Sequence, residues 1–238
     1  MKSLRHLPNF LTCLNLFCGC LAVVYISRND LTVASWLVIT AAVIDFLDGF
    51  AARVLNAFTE TGKQLDSLAD MVTFGLVPGY MMYQLLAIKT DLFLLKNQWL
   101  IFIPFLITIF SALRLAKFNI DKRQTVGFIG LPTPACTLFI ISLPLIIQHQ
   151  TGFAREVAES AVFIVISSIV LSFLLVAEIP MFSFKFKNFS WKSNKVRFIF
   201  LLLSLIAFVF LKWLALPIIV VMYISFSILV NRNRVPAG

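Results

Sequence analysis

Apolar residues run through this chain in long blocks, and polar residues punctuate them. Eight apolar stretches can be traced, at about Asn9–Ser27, Leu31–Phe50, Leu65–Ala87, Trp99–Phe118, Leu131–Gln148, Ala161–Met181, Val196–Trp213 and Leu214–Val230. Each comes close to the roughly 20 residues that a helix needs to cross the hydrocarbon core of a bilayer. The pattern predicts an all-α fold, a polytopic transmembrane helix bundle of about eight spans. Only Lys212 and Trp213 separate the last two stretches, with Pro217 just beyond, so a tight helical hairpin is expected there. Lys2 and Arg5 precede an apolar run in the manner of a secretory signal. No small-residue cleavage site followed by a soluble domain comes after it, so the first stretch is read as an uncleaved span.

Composition strengthens this reading. Of the 238 residues 60% are hydrophobic, and the mean hydropathy is +0.95, which excludes an ordinary soluble domain. The net charge of +9 raises the question of nucleic acid, but no basic, aromatic-interleaved soluble domain exists to carry that function. The cations are instead distributed by side. One side of the membrane would hold Lys2, Arg5, Arg53, Lys63, Arg114, Lys117, Lys122, Arg123, Lys185, Lys187, Lys192, Lys195, Arg197, Arg232 and Arg234, which is fifteen of the 20 Lys and Arg residues. The bias predicts that both termini and the Arg53–Lys63 connection are cytoplasmic. The segment Lys185–Arg197 interleaves lysines with aromatic rings, as an interfacial loop on anionic lipid would. Cys13, Cys18, Cys20 and Cys136 all lie in apolar stretches and read as small reduced side chains. His6 and His149 fit no ligand or triad spacing.

Against this background four carboxylates stand out: Asp45, Asp48, Asp66 and Asp70. A charge at the bilayer centre costs on the order of 3 kcal/mol or more, so acids inside spans mark function by default. Asp45 and Asp48 at i, i+3 share one helix face, and Asp66 and Asp70 at i, i+4 share another. If the two helix ends meet, four carboxylates converge, and they cannot all stay ionised without cations. Ion pairing with Arg53 and Lys63 is the structural alternative, but two cations do not neutralise four carboxylates. Hard divalent metals do, and phosphate chemistry is their common use. Gly49 and Gly62 would let a ligand approach the backbone, and Arg53 offers a planar cation for phosphate oxygens.

The full pattern is D-x2-D-G-x2-A-R-x8-G-x3-D-x3-D, filled by Asp45, Asp48, Gly49, Ala52, Arg53, Gly62, Asp66 and Asp70. It resembles the signature of the CDP-alcohol phosphatidyltransferases. The resemblance implies a six-span catalytic core over residues 1–181 of a single integral-membrane domain, 1–238. Residues 182–238 would then add a basic cytoplasmic loop and two extra spans. It also implies two divalent ions, Mg2+ or Mn2+. Asp45 and Asp66 would bridge them, Asp48 would complete the first site and Asp70 the second. Asp70 would also act as catalytic general base on the acceptor hydroxyl. Asn9, Thr12, Gly49, Ala52, Arg53, Thr59 and Gly62 would bind the CDP-lipid, with Asn9 and Thr12 on the cytidine. Polar positions at Asn9, Thr12 and Asn15 on their own are equally read as a cap and a polar helix contact.

A second pair of segments narrows the acceptor. Ser111-Ala-Leu-Arg114-Leu-Ala-Lys117-Phe-Asn119 closes the fourth stretch, and Gly127-Phe-Ile-Gly130-Leu-Pro132-Thr-Pro134-Ala135 opens the fifth. Together they look like the phosphatidylserine synthase branch of the family. The activity implied is transfer of the phosphatidyl group from CDP-diacylglycerol to the hydroxyl of L-serine, releasing CMP. The enzyme would sit in the cell (plasma or inner) membrane with its active site facing the cytoplasm, and homodimerisation is usual in the family. Arg114 and Lys117 share a helix face and would hold a substrate carboxylate or the lipid diphosphate, with Arg123 nearby. Another acceptor such as glycerol 3-phosphate or an inositol phosphate, or an archaeal-type lipid donor, would keep the chemistry. A cation transporter and an inactive membrane scaffold are rivals of a different class. The carboxylates lie at helix ends with no broken-helix pair, which argues against the transporter, and the complete pattern argues against the scaffold.

Overall fold

A computed structural model of the protein describes residues 6–88, 96–121, 128–181 and 191–232. The helices are α1 (Leu7–Ser27), α2 (Leu31–Val54), α3 (Glu60–Asp70), α4 (Val77–Ala87), α5 (Phe105–Ile120), α6 (Thr133–His149), α7 (Phe153–Glu159), α8 (Ala161–Val176), α9 (Trp191–Leu211) and α10 (Ala215–Arg232). A short antiparallel pair joins β1 (Phe128–Ile129) to β2 (Pro180–Met181). Among the described residues four helical segments can cross a membrane by length and composition: Leu7–Ser27, Leu31–Val54, Gln98–Ile120 and Asn194–Val230. The pair α7–α8, bent by 67°, makes a fifth if it is one span. The protein is an all-α integral membrane protein.

The Asn194–Val230 segment is folded back on itself. Lys212 adopts φ of +51° at its middle. Phe200 of α9 meets Tyr223 and Phe226 of α10 at 6.1 Å between ring centroids, so the two helices lie side by side. Trp213 at the tip packs edge-on against Trp36 of α2 and lies 5.8 Å from His149 of α6. The hairpin is therefore anchored along the bundle, with α10 against α6 and α9 outside it. Leu202, Leu205, Phe208 and Phe210 of α9 are exposed, as lipid-facing side chains are.

At the centre of the bundle is α6, where Ile140, Ile141, Leu143, Leu145 and Ile146 are almost fully buried, as are Met81 and Met82 of α4. The longest seam joins α1 to α2. A tight turn connects them, with Asn29 at φ +62°, and Asp30 caps α2 by accepting from Val33 N at 3.0 Å. Buried hydroxyls of Ser35, Ser168 and Ser172 bond the carbonyl four residues back, which satisfies them without a partner helix.

Three boundaries differ from the sequence pattern. Helix α2 runs on past Phe50 to Val54, and α3 starts at Glu60, ahead of the stretch traced from Leu65 and inside the Arg53–Lys63 connection. The cause is Thr59, extended at φ −136°, whose hydroxyl accepts from Gly62 N and starts a new helix. Helix α8 stops at Val176 rather than Met181, because Ala177 turns extended and delivers β2 to β1.

The chain is helical without a break from Glu60 to Ala87, but Met71–Leu76 is wound as a π-helix. Pro78 has no N–H for the Phe74 carbonyl, and the wider winding frees further carbonyls. Thr137 of α6 donates to Phe74 O at 3.1 Å, and Thr108 of α5 donates to Gly75 O at 3.1 Å. Two threonines from other helices thus hold the irregular turn that follows Asp70.

Gly130, at φ +79°, makes the turn from β1 into α6, and a Cβ there would press on the carbonyl oxygens of Leu175 and Ala177. Gly130→Ala should destabilise the fold by more than about 1 kcal/mol. The check is the melting temperature in detergent, and a value equal to wild type would show that this turn relaxes freely.

Candidate active site

Asp45 and Asp48 project from the second half of α2, and Asp66 and Asp70 from α3. The connection from Leu55 to Thr59 is short, so the two carboxylate pairs face each other. Asp45, Asp48 and Asp66 each offer an oxygen, and these atoms all lie within 4.8 Å of one another. Asp70 completes the group, with its carboxyl against that of Asp45 and Oδ1 buried without a protein partner.

Helix α1 holds this cluster from behind. The Thr12 hydroxyl donates to Asp48 Oδ2 at 2.8 Å, and Asn15 Nδ2 donates to Asp45 Oδ1 at 3.3 Å. Both side chains are buried. Pro8 at the first turn of α1 lets the helix start here without a wasted N–H. The periodic polar positions of α1 therefore divide. Thr12 and Asn15 orient carboxylates, and Asn9 faces the open cavity.

Arg53 and Lys63 bond backbone carbonyls rather than the aspartates. Arg53 Nε donates to the Gly49 carbonyl at 2.9 Å, and Lys63 Nζ to the Asn119 carbonyl at 3.1 Å. Neither is paired with an aspartate, so the ion-pair reading of the cluster fails. Carboxylates this close cannot all stay ionised without a cation between them, and Asp45, Asp48 and Asp66 are placed so that they could hold one. The donor set is all oxygen, the choice of a hard divalent ion such as Mg2+ or Mn2+. The buried Asp70 Oδ1 is an acceptor that such an ion, or a donor on a substrate, would satisfy.

A cavity of about 590 Å³ opens beside the cluster. The four aspartates line it, and so do Asn9, Thr12, Gly49, Ala52, Arg53, Thr59 and Gly62. Every residue that the pattern assigns to the metals or the CDP-lipid thus meets in one place. The glycines play different parts. A Cβ at Gly62 would come within 2.9 Å of Asn9 Oδ1 and Thr59 Oγ1, so glycine here lets α1 approach α3. A Cβ at Gly49 would meet nothing closer than Arg53 at 3.7 Å, so no packing demands glycine there, and the bare backbone faces the cavity. The Thr59 hydroxyl caps α3 by accepting from Gly62 N at 2.9 Å and keeps its own proton for a ligand.

Arg114 and Lys117 do not enter this cavity. Arg114 is buried on α5 within electrostatic reach of Asp70 and of Tyr223. It borders two further spaces. One, of about 410 Å³, also has Lys117, Asp121 and Glu178 on its walls, which places two cations and two carboxylates around one space. The other, of about 550 Å³, runs along α5, α6 and the C-terminal hairpin and shares Asp45, Asp66, Asp70 and Pro134 with the first cavity. Arg123 lies outside the described residues. The end of α5 is tied to α3 by Asn119 Nδ2 donating to Ser67 Oγ at 2.8 Å.

Sequence reasoning passed over Asn15 as a site residue, although its spacing from Asn9 and Thr12 carried the signal. It also passed over Glu178 and Tyr223. Neither belongs to a local pattern, and both reach the site only through the packing of α8 and α10.

Comparison with known proteins bears on the same residues. The sequence model of the CDP-alcohol phosphatidyltransferase family matches residues 5–174. Similar proteins include one from Helicobacter pylori, 28% identical over 233 residues, covering 96% of this chain and 92% of that protein. Another is from Bacillus subtilis, 31% identical over 182 residues, covering 76% of this chain and 93% of that protein. A third, from Methanocaldococcus jannaschii, is 30% identical over 141 residues, covering 59% of this chain and 61% of that protein. All three are named CDP-diacylglycerol–serine O-phosphatidyltransferase. With that match across residues 5–174, and with the signature aspartates gathered on one cavity, the chain belongs to the CDP-alcohol phosphatidyltransferase family.

Proposed function

We propose that this protein transfers the phosphatidyl group of CDP-diacylglycerol to the hydroxyl of L-serine, giving phosphatidylserine and CMP. The observation that carries the reading is the convergence of Asp45, Asp48, Asp66 and Asp70 on one cavity with Asn9, Arg53, Thr59 and Gly62. The serine Oγ forms its bond to the β-phosphorus as the bond from that phosphorus to the CMP oxygen breaks. The hydroxyl proton passes to Asp70, and CMP leaves with the electron pair.

Asp45, Asp48, Asp66 and Asp70 would hold two divalent ions, Mg2+ or Mn2+. What such ions supply when bound is neutralisation of the diphosphate and of the charge that builds on the leaving CMP. Thr12 and Asn15 keep Asp48 and Asp45 in place through their hydrogen bonds. Arg53, held by the Gly49 carbonyl, turns its remaining N–H groups to phosphate oxygens. Asn9 and the Thr59 proton serve the nucleotide, and Gly49 and Ala52 leave room for it.

The mixed cavity next to Arg114 favours serine over a phosphorylated alcohol. A zwitterion needs a cation for its carboxylate and an anion for its ammonium. Arg114 and Lys117 supply the first, and Asp121 and Glu178 the second. A phosphate group would be repelled by those two carboxylates.

The eight-span arrangement, with both termini and the aspartates on the cytoplasmic side, belongs to this proposal, as does a core over 1–181 with an appended hairpin. The fifteen-to-five division of Lys and Arg supports the orientation. The folded-back Asn194–Val230 segment supports two spans there.

Three outcomes are expected. Purified protein in micelles should move label from L-serine into lipid and release CMP, and EDTA should abolish both until Mg2+ or Mn2+ is restored. Transfer to glycerol 3-phosphate but not to serine would reject the acceptor. Asp70→Asn should lower kcat by about 10²- to 10⁴-fold, the range of a lost general base, while CDP-lipid still binds. Near-normal turnover in that variant would remove Asp70 from the proton transfer. Lys117→Ala and Glu178→Gln should each raise the serine KM about tenfold, the size of one lost charged contact. If they raised the CDP-lipid KM instead, the mixed cavity would belong to the donor.

A further inference from the structure

The family match ends at residue 174, yet the hairpin beyond it reaches the aspartates. Phe200 of α9 and Ile219, Val220 and Tyr223 of α10 form one wall of the 550 Å³ space that shares Asp45, Asp66 and Asp70 with the nucleotide cavity. Leu115, Phe118 and Leu138 line it as well, so the groove is largely apolar away from Arg114 and the carboxylates. Its polar end holds Arg114, with Tyr223 within electrostatic reach. Phe200 and Tyr223 brace each other edge-on across the hairpin, and both are almost fully buried. Ser227, one turn beyond Tyr223, is buried and donates to the Tyr223 carbonyl at 2.7 Å.

We propose that this groove receives an acyl chain of the CDP-lipid and that the C-terminal hairpin is its wall, so that Val220 and Ile219 set which chain fits. The inference rests on the donor being a CDP-lipid, as argued above. It commits to an acyl chain for two reasons. The groove is continuous with the aspartates, where the β-phosphorus must lie, so whatever hangs from that phosphorus must leave by an adjoining space. Of these two spaces that adjoin Arg114, the other sets Lys117, Asp121 and Glu178 among its apolar residues, whereas away from Arg114 and the aspartates this one is lined chiefly by apolar side chains, as a hydrocarbon chain requires. Tyr223 suits the boundary, with a ring for the chain and a hydroxyl at the level of the glycerol esters.

The test uses the full-length protein in micelles. A CDP-lipid with a diazirine in its acyl chain is photolysed on the enzyme, and the labelled peptide is mapped. Label on α9 or α10 at Phe200, Ile219, Val220 or Tyr223 is expected, and label confined to other helices would overturn the proposal. Binding alone suffices for this experiment, so it is independent of the acceptor. A wild-type protein that takes the label but makes no phosphatidylserine would reject the serine reading and keep the groove. A second measurement compares long- and short-chain donors. Filling the groove with Val220→Trp should lower the ratio of kcat/KM for a dioleoyl over a dihexanoyl donor about tenfold, the scale of steric discrimination in an apolar pocket. Val221→Trp is the control, since Val221 is 54% exposed on the same helix, and it should leave the ratio at the wild-type value. An equal fall for both donors in Val220→Trp, or a shift of the ratio in Val221→Trp as large as in Val220→Trp, would show that the hairpin only supports the fold.

Discussion

Four carboxylates held within one cluster, in a protein built for lipid, are the constraint on which the rest of this structure depends. Their mutual repulsion would drive α2 and α3 apart unless something holds the helices together. Two devices do so. The seam between α1 and α2 is the longest in the molecule, and it presents Thr12 to Asp48 and Asn15 to Asp45. On the other side α3 is capped by Thr59 and tied to α5 through Ser67 and Lys63. Arg53 and Lys63 bond backbone carbonyls instead of the aspartates. A structural ion-pair network would have been arranged the other way, with each acid matched to a base.

The π-helical turn after Asp70 follows from the same constraint. Asp66 and Asp70 must face α2, whereas Met81, Met82 and Leu85 further along the same rod must face the core. A regular α-helix fixes the angle between these faces by its 3.6-residue turn. A wider turn between them resets that angle, at the cost of carbonyls left without intrahelical donors. Thr108 and Thr137 meet that cost at Gly75 and Phe74. Neither threonine touches a ligand, yet both bear on where Asp70 points.

What was legible in the sequence was local. The i, i+3 and i, i+4 spacings of the aspartates place each pair on one helix face whatever the tertiary fold, and a short connection then brings the faces together. The hairpin at Lys212 was legible for a similar reason, since two apolar runs with almost nothing between them have few ways to pack. Roles that depend on distant contacts were not legible. That Thr12, which lines the cavity, also holds Asp48 emerges only when α1 is packed on α2. Thr59 reads as a ligand hydroxyl until its second role, capping α3, is seen. Tyr223 lies in an apolar helix with no polar periodicity, and only the packing of α10 on α6 brings it to Arg114. Helix α6, Thr133–His149, is shorter than the length that identifies a crossing helix, and the α7–α8 pair reaches that length only across its 67° bend.

Arg114 occupies the point where these arrangements meet. It faces Asp70 on one side, borders the mixed-charge space with Lys117 and Glu178, and forms the polar end of the apolar groove with Tyr223. A reaction that joins a hydrophobic donor to a small zwitterion needs three environments around one phosphorus: polar for the nucleotide, charged for the acceptor and apolar for the chains. No single pocket provides all three, because an apolar wall raises the free energy of any ion placed against it. Separate spaces that share a few residues avoid that conflict. A buried guanidinium suits the junction, since it stays protonated at any ordinary pH and its planar fork can serve neighbours on more than one side. The C-terminal hairpin then has a place in this plan without taking part in the chemistry: it supplies the one environment, an apolar wall beside the aspartates, that the charged ends of α2, α3 and α5 do not provide.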